Sequence, residues 1–276
     1  MALGDEIYTM MVKDPQPFLV SRRRIHQGNH AFVPCVYGLG MHAVQSGQAM
    51  IEMHESGRQL LSLPLARLSL ESAINALWLV QTGEGLMGFV NEGTRQRNNV
   101  FIEMAKSANE IFREGAAAHG AEEAYPQSFT DAAARNFQQM TEALQGGHDA
   151  YLLYRMLSQY SHPGLRLVDE YLLENEESES GVTLITTPDK FAADDDPAFL
   201  FITVVAMMWG ARALDHLQMD HRHRSRLRAI AKTLTAPETL NLTAKARAAY
   251  LAKASEQRRS EWKGPKPRRG RSEGRG

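Results

Sequence analysis

A chain of 276 residues, 43% apolar and 23% charged, has ordinary globular composition and enough length for one large helical domain or two small ones. Those fractions, with a formal net charge of −1, exclude a chain that is disordered throughout. The single cysteine, Cys35, excludes an intramolecular disulfide and a cysteine metal cluster, and points to a reducing, cytoplasmic setting.

In chain order, the N-terminus carries Asp5 and Glu6 where a signal peptide needs positive charge, and no apolar core follows. A first helix is predicted from near Pro34 to about Arg58, proline being suited to an early helical position. A second is predicted from Leu65 to Gln81, started by Pro64 and stopped by Gly83 and Gly85. A third runs from Leu86 to Ala117, and a fourth from Phe129 to Gln145. Gly146-Gly147 separates the fourth from a fifth that starts near Asp149 and must end or kink at Pro163-Gly164, helix resuming over Leu165 to Glu174.

Asn175 to Asp196 reads as an acidic connection. Within it Val182 to Thr186 alternates like a strand but is too short to imply a sheet. A sixth helix is predicted over Pro197 to Met219 and a seventh over Pro237 to Gln257. The apolar run Ala198 to Trp209 is shorter than the roughly 20 residues of a membrane span and is interrupted by Thr203, so it reads as a core helix. The expected fold is all-α: an up-and-down bundle of about seven helices over residues 1–256, with 197–256 either completing the core or packed as an appended subdomain.

Residues 257–276 hold eight Lys or Arg against Glu261 and Glu273, and read as a basic, disordered tail. That net of +6 leaves −7 for the rest, concentrated in Asp169 to Glu179 and Asp194 to Asp196. Lys266, Arg268, Arg269 and Arg271, with Trp262 available to stack on a base, suit contact with nucleic acid. Arg22 to Arg24 and the arginines between 222 and 228 are further phosphate-binding candidates.

Two helices carry polar groups that could do chemistry. In the fifth, Tyr151, Arg155, Ser158 and His162 fall on one stripe at spacings of 4, 3 and 4, beside Leu153, Met156, Leu157 and Tyr160. An imidazole at a helix end with a guanidinium on the same stripe suits phosphate chemistry. The arginine stabilises charge on the oxygens while the histidine moves a proton. The structural alternative is that both simply pair with carboxylates of neighbouring helices. In the second helix Arg67 and Glu71 are four apart on a mostly apolar surface, with Asn75 and Trp78 extending their stripe. They are expected to pair with each other and with a further partner, which the fifth helix can supply. Asp215, His216, Asp220, His221 and His223 crowd the end of the sixth helix, but interleaved arginines make a basic helix end the better reading than a metal site.

Arg155-x6-His162 resembles the Arg-x(4–6)-His signature of the HEPN superfamily of helical domains, many of which are metal-independent ribonucleases of toxin or antiphage systems. The resemblance implies a dimer in which Arg155 steadies the phosphate and His162 is acid or base for attack by the ribose 2′-hydroxyl. From about Pro64 to Gly164 the chain also resembles a group of uncharacterised bacterial helical proteins. These carry an Arg-x3-Glu helix, here Arg67 and Glu71, and a Tyr-Arg-x-Leu-Ser-x-Tyr-x-His segment, here Tyr154 to His162. The expected site is therefore Arg155, Ser158 and His162, supported by Arg67, Glu71 and Tyr151. RNA or another nucleic acid and a second copy of the chain are the expected partners, with no metal, cofactor or membrane. The alternative is a non-catalytic scaffold or nucleic-acid-binding protein that uses its basic tail.

Overall fold

The computed structural model describes residues 1–13, 31–83, 85–122, 126–188 and 197–261. The chain is all-α overall. Helix α1 spans Ala2–Tyr8 and passes into a π-helical turn, Thr9–Lys13; α2 (Phe32–Glu55) and α3 (Gln59–Thr82) are joined by a three-residue turn and pack side by side. Then come α4 (Gly85–Ala105), α5 (Glu110–His119), α6 (Asp131–Arg135), α7 (Phe137–Glu142), α8 (Gly147–Ser161) and α9 (Leu165–Asp169). A hairpin of β1 (Leu172–Glu174) and β2 (Val182–Leu184) precedes α10 (Ala198–Leu217), α11 (Arg224–Thr233) and α12 (Ala244–Glu261).

The core is the three-way packing of α2, α3 and α10, with α1 laid against α2 and α10 and α8 laid against α3. Small residues let α2 and α10 approach closely. A Cβ on Gly40 would stand 3.1 Å from the carbonyl oxygen of Gly210, and one on Gly210 would stand 2.7 Å from the Cβ of Ala43. Met207 of α10 occupies the space above Gly47 in the same way. Trp78, Leu70, Leu77 and Met208 fill the interior around this contact and are fully buried.

Helix α10 is 20 residues long, and by length and composition alone it could cross a membrane; 78% of its most apolar window is buried against the other helices, as in a core helix. It extends well beyond the run ending at Trp209, because Gly210, Ala211, Ala213, Leu214 and Leu217 continue the buried surface.

Twelve α-helices are found among the described residues where about seven were expected. The difference lies mainly in short breaks that asparagine creates. Asn109 accepts from the Ile111 amide at 3.0 Å and starts α5, and Asn136 accepts from the Gln139 amide at 3.2 Å and starts α7. These caps split the predicted third and fourth helices. Helix α11 forms where only a basic segment was foreseen, since Leu227, Ile230 and Ala231 give it a buried face. In the other direction, Pro64 lies inside α3 rather than before it. So near the helix start it removes a single backbone bond, the one to the Leu60 carbonyl. The helix predicted over Leu165 to Glu174 stops at Asp169, and β1 takes its last residues, pairing Leu173 with Thr183 of β2 in the run Val182 to Thr186 that was read as too short to imply a sheet. Residues 257–261 of the predicted disordered tail instead continue α12, which runs to Glu261; the rest of that tail, with Lys266, Arg268, Arg269 and Arg271, lies outside the described residues, as do Arg22 to Arg24 and Asp194 to Asp196.

Gly210→Val should lose about 1–3 kcal/mol of stability, read as a lowered urea midpoint, because two backbones cannot separate to accept the side chain. Gly93→Ala, where an added Cβ meets nothing within 4 Å, should hold or slightly raise the midpoint. Equal effects of the two changes would refute the close-approach account.

Candidate functional site

Helix α3 is buried over most of its circumference, and Arg67 and Glu71 stand on the side that faces α8. Four residues apart, they form an ion pair of 3.6 Å with side chains 19% and 34% exposed, so both are half-buried but reachable. Asn75, one turn on, gives its Nδ2 to the Glu71 backbone carbonyl at 2.8 Å rather than to the carboxylate.

Helix α8 brings the partners. Arg67 Nη2 donates to the Tyr154 hydroxyl at 3.0 Å, and its guanidinium carbon lies 4.9 Å from the centre of that ring. Arg67 Nη1 lies 3.0 Å from His162 Nε2. A guanidinium only donates, so Nε2 must be the acceptor. The contact therefore holds a neutral imidazole with its proton on Nδ1. His162 itself is exposed and extended (φ −118°, ψ 141°), as Pro163 requires of the residue before it, and this swings the ring off the end of the helix toward α3.

An aromatic column braces the arginine. Tyr154 packs on Phe137 at 4.4 Å between ring centroids and stacks on Tyr151 at 6.1 Å. Arg155 is part of this column and not of the imidazole contact: it is exposed, donates to the Tyr151 hydroxyl at 3.3 Å, and covers that ring at 5.9 Å. Seven residues of helix separate Arg155 from His162, about 10 Å along the axis. Ser158 spends its hydroxyl proton on the Tyr154 carbonyl at 2.7 Å.

The structure thus brings together Arg67, Glu71 and His162. Tyr151 is joined only through Tyr154, and Arg155 and Ser158 are held by other partners. Tyr154, absent from the expected site, is the residue that links the helices. The available signal was its place one turn before the buried Leu157, on the core-facing side of α8.

Burial pushes the Glu71 carboxyl above its ordinary value of 4.5, and the positive charge of Arg67, joined by that of His162 only when its ring is protonated, pulls against that rise. At the other end of the molecule, Asp215 is fully buried and takes Arg212 Nη1 at 2.6 Å and the His223 backbone amide at 3.2 Å. His221 Nδ1 donates to the Asp215 carbonyl at 2.7 Å. Asp215 and His221 of the acidic and histidine cluster in the sequence are thus tied together with Arg212, and no group of three metal-ligating side chains occurs among the described residues.

The model of a family of unknown function, DUF5677, matches residues 35–179, just over half of the chain, and the chain belongs to that family. The matched stretch contains both Arg67–Glu71 and Tyr154–His162. No curated protein and no solved structure matches the chain.

The raised carboxyl gives a pH test. Above 4.5 the folded chain holds a proton on Glu71 more tightly than the unfolded chain does, so this group's contribution to stability is full below 4.5 and is lost as pH rises through the raised value. Glu71→Gln should flatten the fall in urea midpoint over that window. If the substitution instead steepens the fall, the pairing with Arg67 outweighs burial.

Proposed function

For this member of a family of unknown function, we propose that the seam between α3 and α8 binds a phosphodiester of RNA and moves protons on it, in a metal-independent, HEPN-like cleavage. The observation that supports this reading is an exposed imidazole, His162, whose Nε2 is kept unprotonated by a half-buried guanidinium. A phosphate entering the seam competes for Arg67, whose hydrogen bonds to anionic oxygens are stronger than one to a neutral ring nitrogen. Withdrawal of Arg67 frees Nε2 to take the proton of a ribose 2′-hydroxyl. That oxygen attacks phosphorus, the 5′-oxygen departs and takes up a proton, and the products are a 2′,3′-cyclic phosphate and a 5′-hydroxyl end. In this reading Arg155, exposed on the same helix, takes a neighbouring phosphate of the same strand.

His162→Ala should lower cleavage of labelled single-stranded RNA by the purified chain about 100-fold or more, leaving the thermal melt near that of the parent. Arg67→Lys should also impair it, since an ammonium cannot hold phosphate and imidazole in a fork. Cleavage products without cyclic phosphate ends, or full activity in His162→Ala, would overturn the reading.

A scaffold reading draws on a different observation: Arg67 already satisfies Tyr154, His162 and Glu71 within the chain. On that reading Arg67→Ala unfolds the α3–α8 contact and the parent protein cleaves nothing.

A further inference from the structure

A second polar centre lies on α4, apart from the seam. Asn91, Arg95 and Asn98 recur at one and two turns and line one face of the helix. Opposite them stand Gln127, Asp131 and Arg135, and a cavity of about 330 Å³ lies between. The two walls are locked together at Gly88, whose amide donates to Thr130 Oγ1 at 3.2 Å, and where a Cβ would collide with the Thr130 backbone.

Asn91 is only 7% exposed. Its Nδ2 donates to the Pro126 carbonyl at 3.3 Å and to Asp131 Oδ1 at 3.1 Å. Both partners are acceptors, so the amide cannot be turned over without setting oxygen against oxygen. Its Oδ1 is therefore an oriented acceptor, buried and with no partner. A buried acceptor in a native structure that lacks a donor calls for one.

The cationic end is equally ordered. Glu92, 8% exposed, takes Arg95 Nε at 2.7 Å and Nη2 at 2.6 Å, and lies 3.4 Å from Arg135 Nε. The hydrogen bonds from Arg95 hold its carboxyl below the usual range, so it stays charged and fixes both guanidinium groups. Arg95 keeps Nη1 for a ligand, and Arg135 keeps both terminal nitrogens. On each wall the acceptor residue stands four positions, about one helical turn, before the donor residue: Asn91 before Arg95 and Asp131 before Arg135.

We propose that this cavity binds a small zwitterion, its ammonium group on Asn91 Oδ1 and Asp131 and its carboxylate on Arg95 and Arg135. An anion alone leaves the Asn91 acceptor unpartnered and meets Asp131. A cation alone meets two guanidinium groups. A molecule with its two charges set about one helical turn apart satisfies both ends, and amino acids with a γ-carboxylate, or γ-amino acids, are of that length. The inference is independent of the seam.

The test is titration calorimetry of the full chain with L-glutamate and γ-aminobutyrate, against glutarate (anion only), butylamine (cation only) and adenosine monophosphate (a nucleotide). Binding of the zwitterions and not of the other three is expected. Arg135→Gln, at an exposed position that leaves the fold alone, should weaken that binding roughly tenfold or more. Asn91→Leu should abolish it, and His162→Ala should leave it unchanged. No zwitterion binding, equal binding of glutarate or of the nucleotide, or binding indifferent to Arg135→Gln overturns the proposal.

Discussion

Helices α2 and α10 meet backbone to backbone at Gly40 and Gly210, with only the methyl of Ala43 beside that contact, and Met207 of α10 fills the space that Gly47 leaves open. Dispersion between atoms at such close range, summed along both helices, fixes their relative position far more tightly than larger, softer side chains would. The buried residues of α3 complete the interior against that pair, and α3 in turn carries Arg67 and Glu71. The orientation of the polar seam is thus inherited from a contact made by residues with no chemistry of their own.

The two ion-paired centres show how burial and reach separate structural charge from available charge. Asp215 is sealed, and Arg212, beside it, also lies 2.9 Å from Glu238, so each charge there has its counter-charge inside the chain. Such a knot orders a helix end. The seam is built from the same residue types, yet its imidazole is in solvent and its carboxylate is held by burial above the ordinary range. The difference is position relative to the surface rather than composition.

Much of the local structure was legible in the residues themselves. Pro163 ends α8 at His162, and the four-residue spacing of Arg67 and Glu71 makes them neighbours on any helix. The breaks at Asn109 and Asn136 were missed because a single asparagine within a helical pattern is a weak signal until its side chain is seen to cap the next turn. The partner of His162 was beyond reach for a different reason. Arg155 shares its helix and its stripe, but Tyr151 one turn away competes for it locally, and the ring is turned toward α3. Which helix lies alongside is decided by tertiary packing, about which periodicity within one helix is silent.

The boundary of the family match does not coincide with a boundary of folding. The matched stretch ends at residue 179, before α10 begins, so it leaves out the helix on which α2 and α3 close. It is also sewn to the later chain about three-quarters of the way along its own length. The Gln145 amide donates to the Asn241 carbonyl at 2.7 Å and the Thr243 amide to the Ala143 carbonyl at 2.9 Å, just before α8 starts. A fragment cut at residue 179 would bare the inner faces of α2 and α3 to water and release the entry to α8. The segment that carries the resemblance depends, for its shape, on partners from outside it.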